Sequence, residues 1–161
     1  DRGIIEILVR FGADVRRKGD CFTVRGGELF GINVDATDIP DLVPIIAVVA
    51  AVASGKTVIS GAARLKLKES DRLSTVTDML SALGADIEKT DDGLIINGKD
   101  RLHSAEVSSF GDHRIAMSAA IAATVCDGDV IVTGAEATAK SYPAFWGDLS
   151  TLGVTITKDE E

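Results

Sequence analysis

Cysteine is scarce, and the two present, Cys21 and Cys126, stand in no C-x-x-C or Cys/His cluster. A disulfide framework or a structural zinc site would need such spacing, so two reduced thiols in a cytosolic protein are expected. Aromatic residues make up 4% of the chain, which leaves Ala, Ile, Val and Leu to build the core. Basic residues are outnumbered, 17 against 25 acidic, for a net charge of −8. That balance argues against a nucleic-acid or membrane-surface partner, although a local group of cations can still hold a small anion. The longest apolar run, near residues 42–53, falls short of the roughly 20 residues a membrane span requires. No signal-peptide pattern, Walker A loop, G-x-G-x-x-G, H-E-x-x-H or G-x-S-x-G is present, so neither a metal nor a cofactor is expected.

What the sequence does contain is repetition. Phe11-Gly12-Ala13-Asp14-Val15 matches Leu83-Gly84-Ala85-Asp86-Ile87, 72 positions on. Val58-Ile59-Ser60-Gly61 matches Ile131-Val132-Thr133-Gly134 at a spacing of 73. Lys68 aligns with Lys140, and Asp1-Arg2 aligns with Asp71-Arg72 across a small gap. The length suits one domain. Within it, the expected copies are 1–61, 62–134 and a partial third, 135–161. A helical pattern starts almost at Asp1 with no strand ahead of it, which reads as a piece of a longer chain.

Periodicity gives each copy its elements. The first reads as a helix carrying Ile4, Ile5, Leu8 and Phe11, strands near 14–17, 21–24 and 29–34, a helix over 41–53 and a strand over 57–60. The second reads as a helix over 71–83, strands near 86–88, 94–97 and 105–107, a helix over 112–125 and a strand over 130–133. The third begins at Lys140 with a helix bearing Tyr142, Phe145, Trp146, Leu149 and Leu152, and ends in a strand over 154–157. Arg64 and Lys66 alternate with Leu65 and Leu67, as on the outer face of a strand. The helices at 41–53 and 112–125 are apolar nearly all round and should be buried. The expected fold is α/β (α+β), with buried parallel helices inside outer helices and mixed sheets. Equivalent copies should also bring the starts of the buried helices, and the basic turns, to one end of the domain.

Those helix starts hold the candidate chemistry. Lys68, Glu69 and Arg72 lie at a strand-to-helix turn, where backbone N–H groups and the helix dipole already favour an anion. Asp41 begins the first buried helix, with Asp38 the better placed cap. Asp112-His113-Arg114 begins the second, where Arg114 beside a helix N-terminus calls for a compensating anion or carboxylate. Lys140 stands at the turn that matches Lys68. Cations at Lys68, Arg72, Arg114 and Lys140 suit a substrate carrying phosphate and carboxylate groups. Asp41 and Glu69 could serve as base and acid without a metal. His113 could be an acid or a plain helix-start residue, and His103 reads as solvated.

Lys68-Glu69-Ser70-Asp71-Arg72 and Gly111-Asp112-His113-Arg114-Ile115-Ala116-Met117 resemble the two signature motifs of the 5-enolpyruvylshikimate-3-phosphate synthase family. Asp38-Ile39-Pro40-Asp41 and Ala139-Lys140-Ser141-Tyr142-Pro143 resemble two further family segments in the same order. The whole chain is similar to the C-terminal part of such an enzyme. The resemblance implies repeated βαβαββ units and transfer of the enolpyruvyl group of phosphoenolpyruvate to the 5-hydroxyl of shikimate 3-phosphate, in the shikimate pathway. It implies Asp41 as the base at that hydroxyl and a shikimate 3-phosphate contact, Glu69 at the methylene proton and Lys68 on shikimate 3-phosphate. Arg72, Arg114 and Lys140 would bind phosphoenolpyruvate. It also implies an N-terminal domain carrying a catalytic Lys, without which this chain would be inactive, and a monomeric whole enzyme. Some members have an Asn where Arg64 stands, so that contact is not carried over. The rival readings are a UDP-N-acetylglucosamine enolpyruvyl transferase-like enzyme, whose motifs differ, and a non-catalytic anion-binding domain, which would have no use for Asp41 and Glu69.

Overall fold

The protein, seen in a computed structural model, is described over residues 3–158. The match expected of Asp1-Arg2 lies outside the described residues. Two runs share one order. The first is α1 (Gly3–Phe11), β1 (Asp14–Lys18), β2 (Cys21–Arg25), β3 (Asn33–Asp35), α2 (Val43–Ala51) and β4 (Lys56–Ser60). The second is α3 (Arg72–Ala82), β5 (Asp86–Lys89), β6 (Leu94–Asn97), β7 (Glu106–Ser108), α4 (His113–Ala123) and β8 (Ile131–Thr133). α5 (Phe145–Thr151) follows, and 3-10 turns occupy Pro40–Leu42, Ala63–Leu67 and Ala135–Lys140.

The registers of the two runs agree strand by strand. β1 and β2 pair antiparallel with Asp14 opposite Arg25, and β5 and β6 with Asp86 opposite Asn97. β3 lies parallel to β4 with Asn33 opposite Val58, and β7 parallel to β8 with Glu106 opposite Ile131. Isolated parallel bridges join Phe30 to Ser54 and Leu102 to Cys126. The runs meet where β4 pairs antiparallel with β6, making a four-stranded sheet in the order β3-β4-β6-β5.

Helices α2, α3 and α4 pack on one another and fill the centre. Ile46, Ala47, Ala50 and Ala51 of α2 are fully buried, as are Ile115, Ala116, Ala119 and Ala122 of α4. Small side chains let helices this short approach closely, and burial on all sides explains why neither shows a polar face. α1 and α3 end in glycines of positive φ, Gly12 at +105° and Gly84 at +82°, where the chain turns back through the left-handed region.

Several expectations are corrected. Residues 64–67 form a 3-10 turn rather than a strand: Leu65 is fully buried while Leu67 is 88% exposed, because neighbouring positions of so tight a turn point in different directions. No strand forms over 154–157, since no partner strand lies against it among the described residues. The last helix begins at Phe145, not Lys140. Pro143 disfavours helical backbone at the residue before it, so Tyr142 stays outside, and Leu152 lies past the helix end, exposed. Asp41 belongs to the 3-10 turn ahead of α2, and Asp38 caps neither element, since no side-chain cap is made at either start.

Candidate active site

The starts of the two buried helices meet. Arg114, in the first turn of α4, donates from Nη1 to the Asp41 carbonyl at 3.1 Å, and its Nη2 lies 3.8 Å from Asp41 Oδ2. Asp112 is the N-cap of α4, accepting from the Arg114 N–H at 2.9 Å. Asp71 caps α3 in the same manner, accepting from the Ser74 N–H at 3.3 Å and its hydroxyl at 2.8 Å. With Asp71 as cap, Arg72 opens α3 with its side chain turned inward, and only 1% of it is exposed.

Arg72 is the hub. Its Nε donates to Asp112 Oδ2 at 2.7 Å and its Nη2 to Asp112 Oδ1 at 3.1 Å, a two-pronged grip on a fully buried carboxylate. Nη1 donates to Asp41 Oδ1 at 2.8 Å, and Nη2 also reaches Glu69 Oε2 at 2.7 Å. Every nitrogen of the guanidinium therefore faces a carboxylate, and the resting Arg72 has none aimed at solvent. Ser70 Oγ donates to Asp112 Oδ2 at 3.1 Å. The sequence reading did not find that role for Ser70, nor that Asp112 serves Arg72 rather than the Arg114 side chain. A short hydroxyl between the motif acid and its cap was the only available sign.

Around the hub stand the exposed cations. Lys68 Nζ lies 3.1 Å from Asp41 Oδ1, and Lys140 Nζ donates to Glu69 Oε1 at 3.0 Å. Lys68, Arg72, Arg114 and Lys140 thus share three carboxylates, Asp41, Glu69 and Asp112, which leaves one positive charge in excess. Burial would raise the Asp41 pKa, but the Lys68 hydrogen bond and the charges of Arg114, Lys68 and Arg72 outweigh it and hold the carboxyl below its ordinary value. Glu69 falls further, to about 2, through a backbone N–H and the Lys140 ammonium. Burial lowers the His113 pKa against the pull of Asp112 and Glu69, so the ring favours its neutral form. His113 Nδ1 is buried without a hydrogen-bond partner, 3.9 Å from Asp112 Oδ1. His103 lies apart, exposed, with Nδ1 3.0 Å from Asp127 Oδ2.

Beside Asp41 and Arg114 a recess of about 220 Å³ opens, floored by Pro44, Ile45, Met117 and Ile121. Charged walls over an apolar floor suit a small organic anion. Among the described residues no three His, Cys, Asp or Glu side chains converge as a metal site, and no helix is long and apolar enough to cross a membrane.

The same architecture occurs in an EPSP synthase of Acinetobacter baumannii, at a TM-score of 0.90 and 34% identity over 98% of this chain and 40% of that one. Residues 1–149 match the EPSP synthase (3-phosphoshikimate 1-carboxyvinyltransferase) family profile. The chain belongs to the EPSP synthase family. Within that family, a 3-phosphoshikimate 1-carboxyvinyltransferase of Clostridium acetobutylicum is 46% identical over 95% of this chain and 35% of its own length. One of Methanococcus maripaludis is 44% identical over 97% of this chain and 37% of its own length. The chain therefore spans little more than a third of these relatives. The enolpyruvyl transferase NikO of Streptomyces tendae shares the fold, at a TM-score of 0.80 and 23% identity over 97% of this chain and 36% of that one.

Proposed function

We propose that this chain is the cation-rich half of an enzyme that transfers the enolpyruvyl group of phosphoenolpyruvate to the 5-hydroxyl of shikimate 3-phosphate. The observation that carries the reading is the convergence of four cations, from three separate motifs, on two carboxylates that stay partly open to solvent. A receptor for anions alone would gain nothing from acids that neutralise its own cations.

The chemistry follows from the charges. Asp41, held ionised, takes the proton of the 5-hydroxyl as its oxygen attacks the enol carbon. Glu69 delivers a proton to the methylene carbon, giving a tetrahedral intermediate. The carbon–oxygen bond to phosphate then breaks. Glu69 takes a methyl proton back, and the Asp41 proton leaves with phosphate. Lys68 holds shikimate 3-phosphate, while Arg114 and Lys140 hold phosphoenolpyruvate and stabilise the departing anion. A carboxyl with a pKa near 2 is a poor proton carrier at neutral pH, and the resting pairs supply the remedy. For Arg72 or Lys140 to meet a phosphoenolpyruvate oxygen, each must loosen its bond to Glu69. The arriving anion thereby raises the Glu69 pKa and lets it take up the proton that it then transfers.

The test is phosphate release by the full-length protein with both substrates. Asp41→Asn and Glu69→Gln should each slow turnover by about 10²–10⁴-fold while shikimate 3-phosphate still binds. Turnover within a few-fold of wild type in either variant would overturn the reading. The 161-residue chain by itself, which spans little more than a third of the length of its relatives, should release no phosphate.

A further inference from the structure

Arg114 and Lys140 are placed by two loops that are not neighbours in sequence. Arg114 follows the loop after β7, and Lys140 ends the 3-10 turn after β8. One buried side chain joins the two loops. Ser109, 1% exposed, donates from its hydroxyl to the Gly134 carbonyl at 2.8 Å and accepts from the Gly111 N–H at 3.1 Å. Its own N–H donates to the Thr133 carbonyl at 2.9 Å, and its carbonyl accepts from the Asp112 N–H at 2.9 Å. Room for the hydroxyl comes from Gly134, at φ +68°, because a Cβ there would lie 2.4 Å from Ser109 Oγ. The loop also takes a strained path: Phe110, not a glycine, has φ +54°, and Gly111 follows at +68°. Such a path persists only where the surrounding bonds impose it.

The first run lacks this tie. Ala36 stands at the place of Ser109 and makes the same backbone bond, its N–H to the Ser60 carbonyl at 2.8 Å, but it has no hydroxyl. Thr37 donates instead to Asp35 Oδ1 within its own loop at 2.6 Å, and the Gly61 N–H turns to Asp92 Oδ2 at 3.1 Å. The charges explain why one run needs what the other omits. In the first run the matched groups are Asp41 and Lys68, which attract and hold each other at 3.1 Å. Arg114 and Lys140 are both cations and repel, so no bond between them sets their spacing. At rest Glu69 holds Lys140, and that bond must loosen when a ligand arrives. α4 packs along the Lys140 turn, but apolar contact is not directional. Trp146 anchors the turn separately, donating from Nε1 to the Ala135 carbonyl at 3.0 Å.

On the reading that Arg114 and Lys140 grip one molecule of phosphoenolpyruvate, we propose that Ser109 is a positioning residue for that ligand. Its hydroxyl fixes the start of α4 against the turn after β8, and thereby the spacing of two cations that cannot fix it themselves. Lys68, on the turn after β4, lies outside this tie, so shikimate 3-phosphate does not depend on it. Without the hydroxyl, the turn keeps its own bonds and its Trp146 anchor, and only its place relative to Arg114 is lost.

The test uses the full-length protein and follows steady-state rates with both substrates. Independently of turnover, calorimetry gives the Kd of phosphoenolpyruvate with shikimate 3-phosphate present. Ser109→Ala should raise KM and Kd for phosphoenolpyruvate about tenfold and leave KM for shikimate 3-phosphate within about twofold. In a Lys140→Met background there is no second cation to space, and Ser109→Ala should then cost less than about twofold. Leu94→Ala, a destabilising change in the four-stranded sheet, should not separate the two KM values. An unchanged phosphoenolpyruvate KM, equal rises for both substrates, or a Ser109 effect undiminished in the Lys140→Met background overturns the proposal. A wild type that binds phosphoenolpyruvate but releases no phosphate would sink the transfer reading. A roughly tenfold weaker Kd in Ser109→Ala would even then uphold the positioning role.

Discussion

In hairpin β5–β6, Leu94 and Ile96 are fully buried, whereas Phe22 and Val24, at the matching places of β1–β2, are 47% and 56% exposed. The backbone register is the same. The difference lies in the neighbour, because β6 has β4 on its outer edge and β2 has no strand there among the described residues. The helix starts show the converse: the same neighbours with different residues. The turns after β3 and β7 share their backbone hydrogen bonds, Ile39 N–H to the Ala36 carbonyl and Asp112 N–H to that of Ser109, both at short range. Yet Ile39 stands where the other turn has Asp112, and Asp41 stands where it has Arg114. The same frame occurs twice. Opposite charges at matched places then turned the meeting of two helix starts into a site.

The largest expected effect comes from erasing that difference. Asp112→Ile gives the second turn the residue of the first and removes the two-pronged partner of Arg72, which is 1% exposed. A buried cation stripped of its partner costs about 3–5 kcal/mol, and Ser70 and the α4 cap lose an acceptor as well. Chemical unfolding should register that loss. A loss below about 1 kcal/mol would mean that Asp41 and Glu69 hold Arg72 unaided.

The hairpins give the next effect. Leu94→Ala removes side-chain atoms from a closed core and should cost about 2–5 kcal/mol. Phe22→Ala, half in water and set 5.5 Å from the Arg17 guanidinium, should cost under about 1 kcal/mol. Equal losses in the 161-residue chain would show that β2 is covered in solution.

These contrasts also mark how far the sequence could be read. The buried helices, the 72- and 73-residue spacings and the gathering of Asp41, Lys68, Arg114 and Lys140 follow from apolar periodicity and internal matching, which report local pattern. Three features did not follow. Residues 154–157 have the alternation of a strand, but a strand exists only when its neighbour does, and pattern does not reveal a missing neighbour. Residues 64–67 alternate as well, yet Leu65 is drawn into the core and the chain tightens into a 3-10 turn around it. The burial of Arg72 depends on Asp112, 40 residues away, a partner that local pattern does not reveal.

The smallest effect separates two matched lysines. Lys68 and Lys140, 72 positions apart, each hold a carboxylate, Asp41 at 3.1 Å and Glu69 at 3.0 Å. Glu69 has the stronger depression, to about 2 from an ordinary 4.5, because a backbone N–H joins the lysine and Arg72. A carboxyl whose folded pKa lies below its unfolded value stabilises the fold fully above the unfolded value. As pH falls through 4.5 toward 2, the unfolded chain takes the proton first, and that stability drains away. Glu69→Gln should therefore flatten stability against pH between 4.5 and 2 and leave the slope above 5 unchanged. Lys140→Met should flatten it in part, because Arg72 and the backbone N–H still hold the acid. An unaltered acid limb in Glu69→Gln would mean that the carboxylate pairs with neither cation in solution.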